Sequence, residues 1–127
     1  MTNIYKIDKF NLSSIINTRS IAIIGRSGSG KTTLIKDIIN HQKMAQNIVI
    51  DPILSYNDII PKEFIHQEYD PTFIEHIMEI QKNRYKNSMT NKDVQLIIDN
   101  CDLNFDDITL KQLFLNYRFC KINLLFS

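Results

Sequence analysis

The chain has no tryptophan, three prolines, two cysteines and three glycines in 127 residues. Two cysteines, Cys101 and Cys120, do not make a disulfide framework and suit a reducing compartment. No apolar run reaches the ~18–20 residues of a membrane-spanning helix. Met1 to Phe10 carries charges and lacks an apolar stretch, so a secretory signal is not expected. The formal charge is only +1, which excludes the bulk basic field of many nucleic-acid proteins. His41, His66 and His76 show no metal-ligand spacing with the cysteines. Repeats and low-complexity segments are absent. Length and a hydrophobic content of 43% predict one domain over residues 1–127 with a sizeable core.

Scarcity makes the glycines informative. Gly25, Gly28 and Gly30 all fall in Gly25-Arg26-Ser27-Gly28-Ser29-Gly30-Lys31-Thr32, which meets every fixed position of the P-loop pattern G-x-x-x-x-G-K-[ST]. The apolar run Ser20–Ile24 precedes it, and the helix-compatible run Thr33–Ile39 follows. A polyphosphate needs backbone N–H donors around it with no side chains in the way, and glycine permits that approach. The following helix adds free N–H groups and a partial positive charge. Gly25 through Thr33, including Arg26 and Ser29, are therefore the expected nucleotide-binding residues. Lys31 is expected on the β- and γ-phosphates and Thr32 on Mg²⁺.

Other elements follow from pattern. Strands are predicted over Ser20–Ile24, Asn47–Asp51, Asp93–Asp99 and Lys121–Phe126, with a shorter one at Tyr5–Ile7. Helices are predicted over Lys31–His41, from Pro71 to about Lys86, and from about Asp107 to Arg118, with a short helix or turn at Leu12–Ile16. Residues 52–71 hold all three prolines and read as loop with a turn near Lys62–Ile65. The order β-α-β-α-β-α-β predicts an α/β fold, a P-loop NTPase with a parallel sheet of about four or five strands and helices on both faces.

Leu96-Ile97-Ile98-Asp99 ends an apolar strand in an acid. Downstream of a P-loop, such an acid is expected at the ligand-binding edge of the sheet, holding Mg²⁺; the alternative is an aspartate that only caps the strand-to-loop turn. Asp51 also ends a strand, but Pro52 follows it directly, and it is the less favoured metal partner. Hydrolysis further needs a group that orients or deprotonates water. Asn100 follows Asp99; its amide can orient water but cannot take its proton. Asp102 is the alternative acid. Lys82, Arg84, Lys86 and Lys92 with Tyr85 are a candidate DNA contact or a solvated helix end. Tyr56, Tyr69 and Phe73 are candidates for a base pocket or for core.

The stretches Ile21–Leu34, Ile60–Ile65 continuing to Ile77–Lys82, Ile97–Cys101 and Asn116–Ile122 together resemble the genome-packaging ATPases of poxviruses and other nucleocytoplasmic large DNA viruses, a branch of the FtsK–HerA superfamily. The resemblance implies ATP and Mg²⁺ as cofactors, double-stranded DNA and capsid components as partners, a homo-oligomeric ring, and a place in the host cytoplasm or virion. Lys31, Thr32 and Asp99 match the family's nucleotide and magnesium positions. Arg118 matches an arginine before the fourth core strand; it is either a cation near a helix C-terminus, which the dipole favours, or a group that acts on a neighbouring subunit's nucleotide. The superfamily's strand order, 5-1-4-3-2, would place the P-loop strand at an open edge here, because the family's sensor residue and last strand lie beyond Ser127. The chain is thus expected to be an N-terminal part or a shortened version of such an ATPase. Asn100 stands where the family usually has a second acid. Two other readings stay open: a nucleotide-binding module without hydrolysis, and a small P-loop nucleoside or nucleotide kinase. An ABC-type signature is absent. Asn91-Lys92-Asp93-Val94 departs from the GTPase N-K-x-D pattern at its last residue.

Overall fold

In a computed structural model, residues 20–26, 28–41, 46–86 and 94–127 are described. The expected elements at Tyr5–Ile7 and Leu12–Ile16, as well as Ser27 and Lys92, lie outside them, as do the side chains of Tyr85 and Lys86. The order is β1 (Ile21–Ala22), α1 (Lys31–His41), β2 (Gln46–Ile50), a 3-10 turn (Lys62–Phe64), β3 (Ile65–His66), α2 (Pro71–Lys86), β4 (Val94–Ile98), α3 (Ile108–Asn116) and β5 (Ile122–Phe126).

Local chemistry explains the helix ends. The glycine-rich loop releases into α1, whose Ile35, Ile38 and Ile39 recur at helical spacing and are buried. Pro71 opens α2, where its missing N–H costs nothing, and Asp70 Oδ1 accepts from Thr72 N at 3.0 Å. Asp107 caps α3 by accepting from Thr109 N.

The strands form one parallel sheet in the order β1-β5-β4-β2-β3. The four expected strands keep the relative order 1-4-3-2 of the superfamily, with the P-loop strand β1 at one edge of the described sheet. The two-residue β3 extends the opposite edge beyond what the sequence pattern predicts. Ile48, Ile50, Leu96, Ile98, Ile122 and Leu124 face α2 and α3. Val49, Ile97 and Leu125 face α1. Helices therefore cover both faces, as parallel strands buried on both sides require. Toward the amino ends of the strands, Asn47, Gln95 and Asn123 lie in register across β2, β4 and β5. Gln81, buried on α2, ties that helix to the turn before β5 by donating to Lys121 O at 3.3 Å. The sequence shows no reason for a glutamine there; the structure supplies one.

Candidate functional site

All strands run the same way, so the loops after β1, β2 and β4 meet at one sheet edge. Gly28 and Gly30 have φ of +78° and +92°, with open space where a Cβ would stand. A Cβ on Gly25 would meet Ser29 Oγ at 2.6 Å. The loop is closed by Ser29 N donating to Arg26 O, and Leu34 N to Gly30 O carries it into α1. Lys31 Nζ donates to Gly25 O at 2.6 Å and Arg26 O at 3.1 Å, so the ammonium lies across the loop.

The second half of the site comes from β4. Asp99 is 1% exposed, and its Oδ2 accepts from Thr32 Oγ1 at 2.8 Å and from Tyr56 OH at 2.7 Å. The P-loop threonine and the strand-ending aspartate, 67 residues apart in the chain, are thus in direct contact. The Thr32 hydroxyl donates a hydrogen bond to the carboxylate and keeps its oxygen lone pairs. Together the two supply the all-oxygen donor set that suits a hard cation. Burial, then the hydrogen bond to Asp99, drives the Tyr56 hydroxyl far above its ordinary pKa, so it stays a donor.

The end of β2 adds a second buried acid. Register pairs Ile50 with Ile98, which brings Asp51 beside Asp99. Asp51 is 0% exposed and accepts from Ile53 N at 3.0 Å, Ser55 N at 2.7 Å and Asn100 Nδ2 at 3.1 Å. Asn100 sits at φ 58°, a left-handed conformation that asparagine tolerates better than most residues. Its amide is engaged by Asp51. Cys101 Sγ lies 3.5 Å from Ile50 O and 3.4 Å from Asp99 O; burial first, then the charges of Asp51 and Asp99, push its thiol up to about 11.

Other expected residues are placed elsewhere. Tyr56 is on Asp99 rather than in a base pocket. Phe73 stacks on His66 with ring centroids 3.9 Å apart. Tyr69 donates to Asp107 Oδ2 at 2.6 Å. Asp102 is exposed and lines a cleft of about 800 Å³ at this edge, together with Glu68, Asp106 and Asp107. Those carboxylates make the cleft unsuited to a polyphosphate. Arg118 is exposed beside Tyr117 and precedes β5, at the amino end of the strands. A five-residue strand spans roughly 17 Å, so Arg118 does not reach its own chain's P-loop; any action on a nucleotide would be on a neighbour's.

The family described as "Helicase HerA, central domain" matches residues 9–116. The chain belongs to the HerA central-domain family. This places it in the FtsK–HerA superfamily, whose members are ATPases and DNA translocases. The HerA-family chain is also similar to "Uncharacterized protein 075L" of Invertebrate iridescent virus 6, with 30% identity over 124 residues, covering 91% of this chain and 47% of that protein. It therefore spans about half the length of that relative. No solved structure matches. Among the described residues, no helix is long and apolar enough to cross a membrane.

Asp51 and Tyr56 are the site residues that sequence reasoning underrated. Asp51 carries a visible signal, since Ile48-Val49-Ile50-Asp51 repeats the pattern of Leu96-Ile97-Ile98-Asp99. Tyr56 reaches Asp99 from 43 residues away and has no such signal.

Proposed function

We propose that this HerA-family domain binds Mg-ATP and forms part of a ring-shaped viral motor that drives double-stranded DNA into a capsid, in the host cytoplasm or the virion. The observation that carries the nucleotide reading is the Thr32–Asp99 hydrogen bond at 2.8 Å beside a P-loop with two positive-φ glycines. The viral and packaging parts are supported by the iridescent-virus relative and by the Ile60–Lys82 and Asn116–Ile122 segments.

Bound Mg²⁺ would neutralise charge on the β- and γ-phosphates. Thr32 and Asp99 are the residues to hold it. Gly25 through Thr33 would supply the phosphate cradle, and Lys31 would exchange the carbonyls of Gly25 and Arg26 for phosphate oxygens. Asn100 would orient water rather than deprotonate it, and Arg118 would serve only a neighbouring subunit.

A second reading, nucleotide binding without turnover, is favoured by the bond that ties the Asn100 amide to Asp51. The two readings separate in one experiment. ATP binding and phosphate release are measured with and without double-stranded DNA, beside Lys31→Ala. DNA-stimulated release that Lys31→Ala abolishes supports the motor. Binding without release supports the second reading, and absence of binding sinks both.

A further inference from the structure

The connection from β2 to the 3-10 turn is fastened to the P-loop side of the molecule at three points. Asp51 accepts two of its backbone N–H groups, Lys36 on α1 pairs with Asp58 at 3.0 Å, and Tyr56 reaches Asp99. The Tyr56 ring is 0% exposed and belongs to the cluster of Ile35, Ile38, Val49, Ile97 and Leu125. A ring held this way has little freedom, so its hydroxyl is a fixed donor. The Thr32 hydroxyl, by contrast, is a rotor. Both fall on the same oxygen, Asp99 Oδ2. The terminal torsion of an aspartate is intrinsically broad. One fixed donor on Oδ2 sets the carboxylate plane and leaves Oδ1 with no donor among the described residues.

We infer that Tyr56 is a positioning residue that orients the Asp99 carboxylate for a divalent cation bound with nucleotide. This rests on the Mg-ATP reading above. It assigns the post-β2 loop to the metal half of the site, not to the base of the nucleotide. Outer partners of this kind hold a ligand in the geometry the metal needs, and removing one weakens metal affinity without removing a ligand.

The test uses Mn²⁺ as the probe in the full chain. Mn²⁺ affinity in the presence of ATP is read by electron paramagnetic resonance, ATP affinity in EDTA by calorimetry, and folding by thermal melting. Tyr56→Phe keeps the ring and removes the hydroxyl. The expected result is Mn²⁺ affinity lower by roughly 10-fold, ATP affinity in EDTA unchanged, and no further loss when the same change is made in Asp99→Asn. Should Tyr56→Phe melt below the assay temperature, the same titrations run below its melting point give the comparison. Unchanged Mn²⁺ affinity in Tyr56→Phe overturns the inference. So does an equal loss in the Asp99→Asn background, which would mean that Tyr56 acts through packing. If the wild-type chain binds no ATP, with or without metal, the underlying nucleotide reading falls as well, a result distinct from either of those.

Discussion

The ends of β2 and β4 carry the same pattern, an apolar strand closing on a buried aspartate, yet Asp51 and Asp99 have different partners. Asp51 is held by the backbone N–H groups of Ile53 and Ser55 and by the Asn100 amide. Asp99 accepts from two hydroxyls, Thr32 and Tyr56. A backbone donor inside a turn cannot leave without undoing the turn. A threonine hydroxyl can rotate and share its oxygen with a new partner. A buried carboxylate surrounded by turn amides is therefore a clamp, whereas one reached by a threonine rotor remains available for chemistry. On this comparison Asp51 is a structural acid, and Asp99 is the one that the proposed Mg²⁺ site would use.

The largest expected effect tests the chemical side. Asp99→Asn keeps the volume and removes the charge. Magnesium-dependent turnover is expected to fall about 100-fold or more, while the melting temperature moves little. Turnover measured against Mg²⁺ concentration checks this. A large loss of stability with intact turnover would reverse the assignment of the two aspartates.

The next tests the clamp. Asp51→Ala leaves the N–H groups of Ile53 and Ser55 and the Asn100 amide without their partner. Part of that loss is recovered by water, so the expected cost is about 3 kcal/mol, or a melting temperature lower by roughly 10 °C. Thermal melting with and without ATP is the measurement. Residual ATP binding at low temperature should survive, because Lys31, Thr32 and Asp99 are untouched.

Asn100 joins the two acids, and its backbone separates conformation from bonding. Asn100→Ala loses the amide donor and keeps a Cβ at φ 58°, for an expected cost of about 1–2 kcal/mol. Asn100→Gly loses the same donor but relieves the left-handed strain, so it should cost less than the alanine. Equal melting temperatures for the two variants would show that the backbone at residue 100 is not strained.

Much of this was legible from residues close together in sequence. The bounds of α1 and α2 follow from the glycine-rich loop and from Pro71, and both helices begin where those residues dictate. Asp99 was legible because the P-loop supplied a reason to look for an acid on a later strand. Asp51 is hard to weigh from sequence because Pro52 points to a turn, whereas the decisive fact is the register of β2 against β4, a long-range pairing. β3 is too short to show a period. Tyr56 lies in a loop whose course is fixed by contacts at both ends, so nothing local announces that its hydroxyl arrives at Asp99. Arg118 illustrates the converse: its place before β5 is plain in the sequence, but only the direction of the sheet shows that it lies opposite its own P-loop.

The smallest expected effect concerns the support behind Asp51. Asp51 N donates to His66 O at 2.8 Å, so the clamp leans on β3. Burial lowers the His66 pKa below its ordinary value near 6.5, and the ring stacks on Phe73. The folded chain therefore holds His66 neutral where the unfolded chain would already take a proton. That contribution is fully present above about pH 6.5 and is lost as pH falls through the folded-state pKa. Melting temperature should decline on acidification below pH 6.5, and the decline should be shallower in His66→Gln, which cannot titrate. Because His66 supports the β2 end and not the β4 end, the ATP affinity of the folded protein should be the same for His66→Gln and wild type at pH 7.5. Parallel melting and calorimetry would show whether acid loosens the clamp without reaching the site that Asp99 serves.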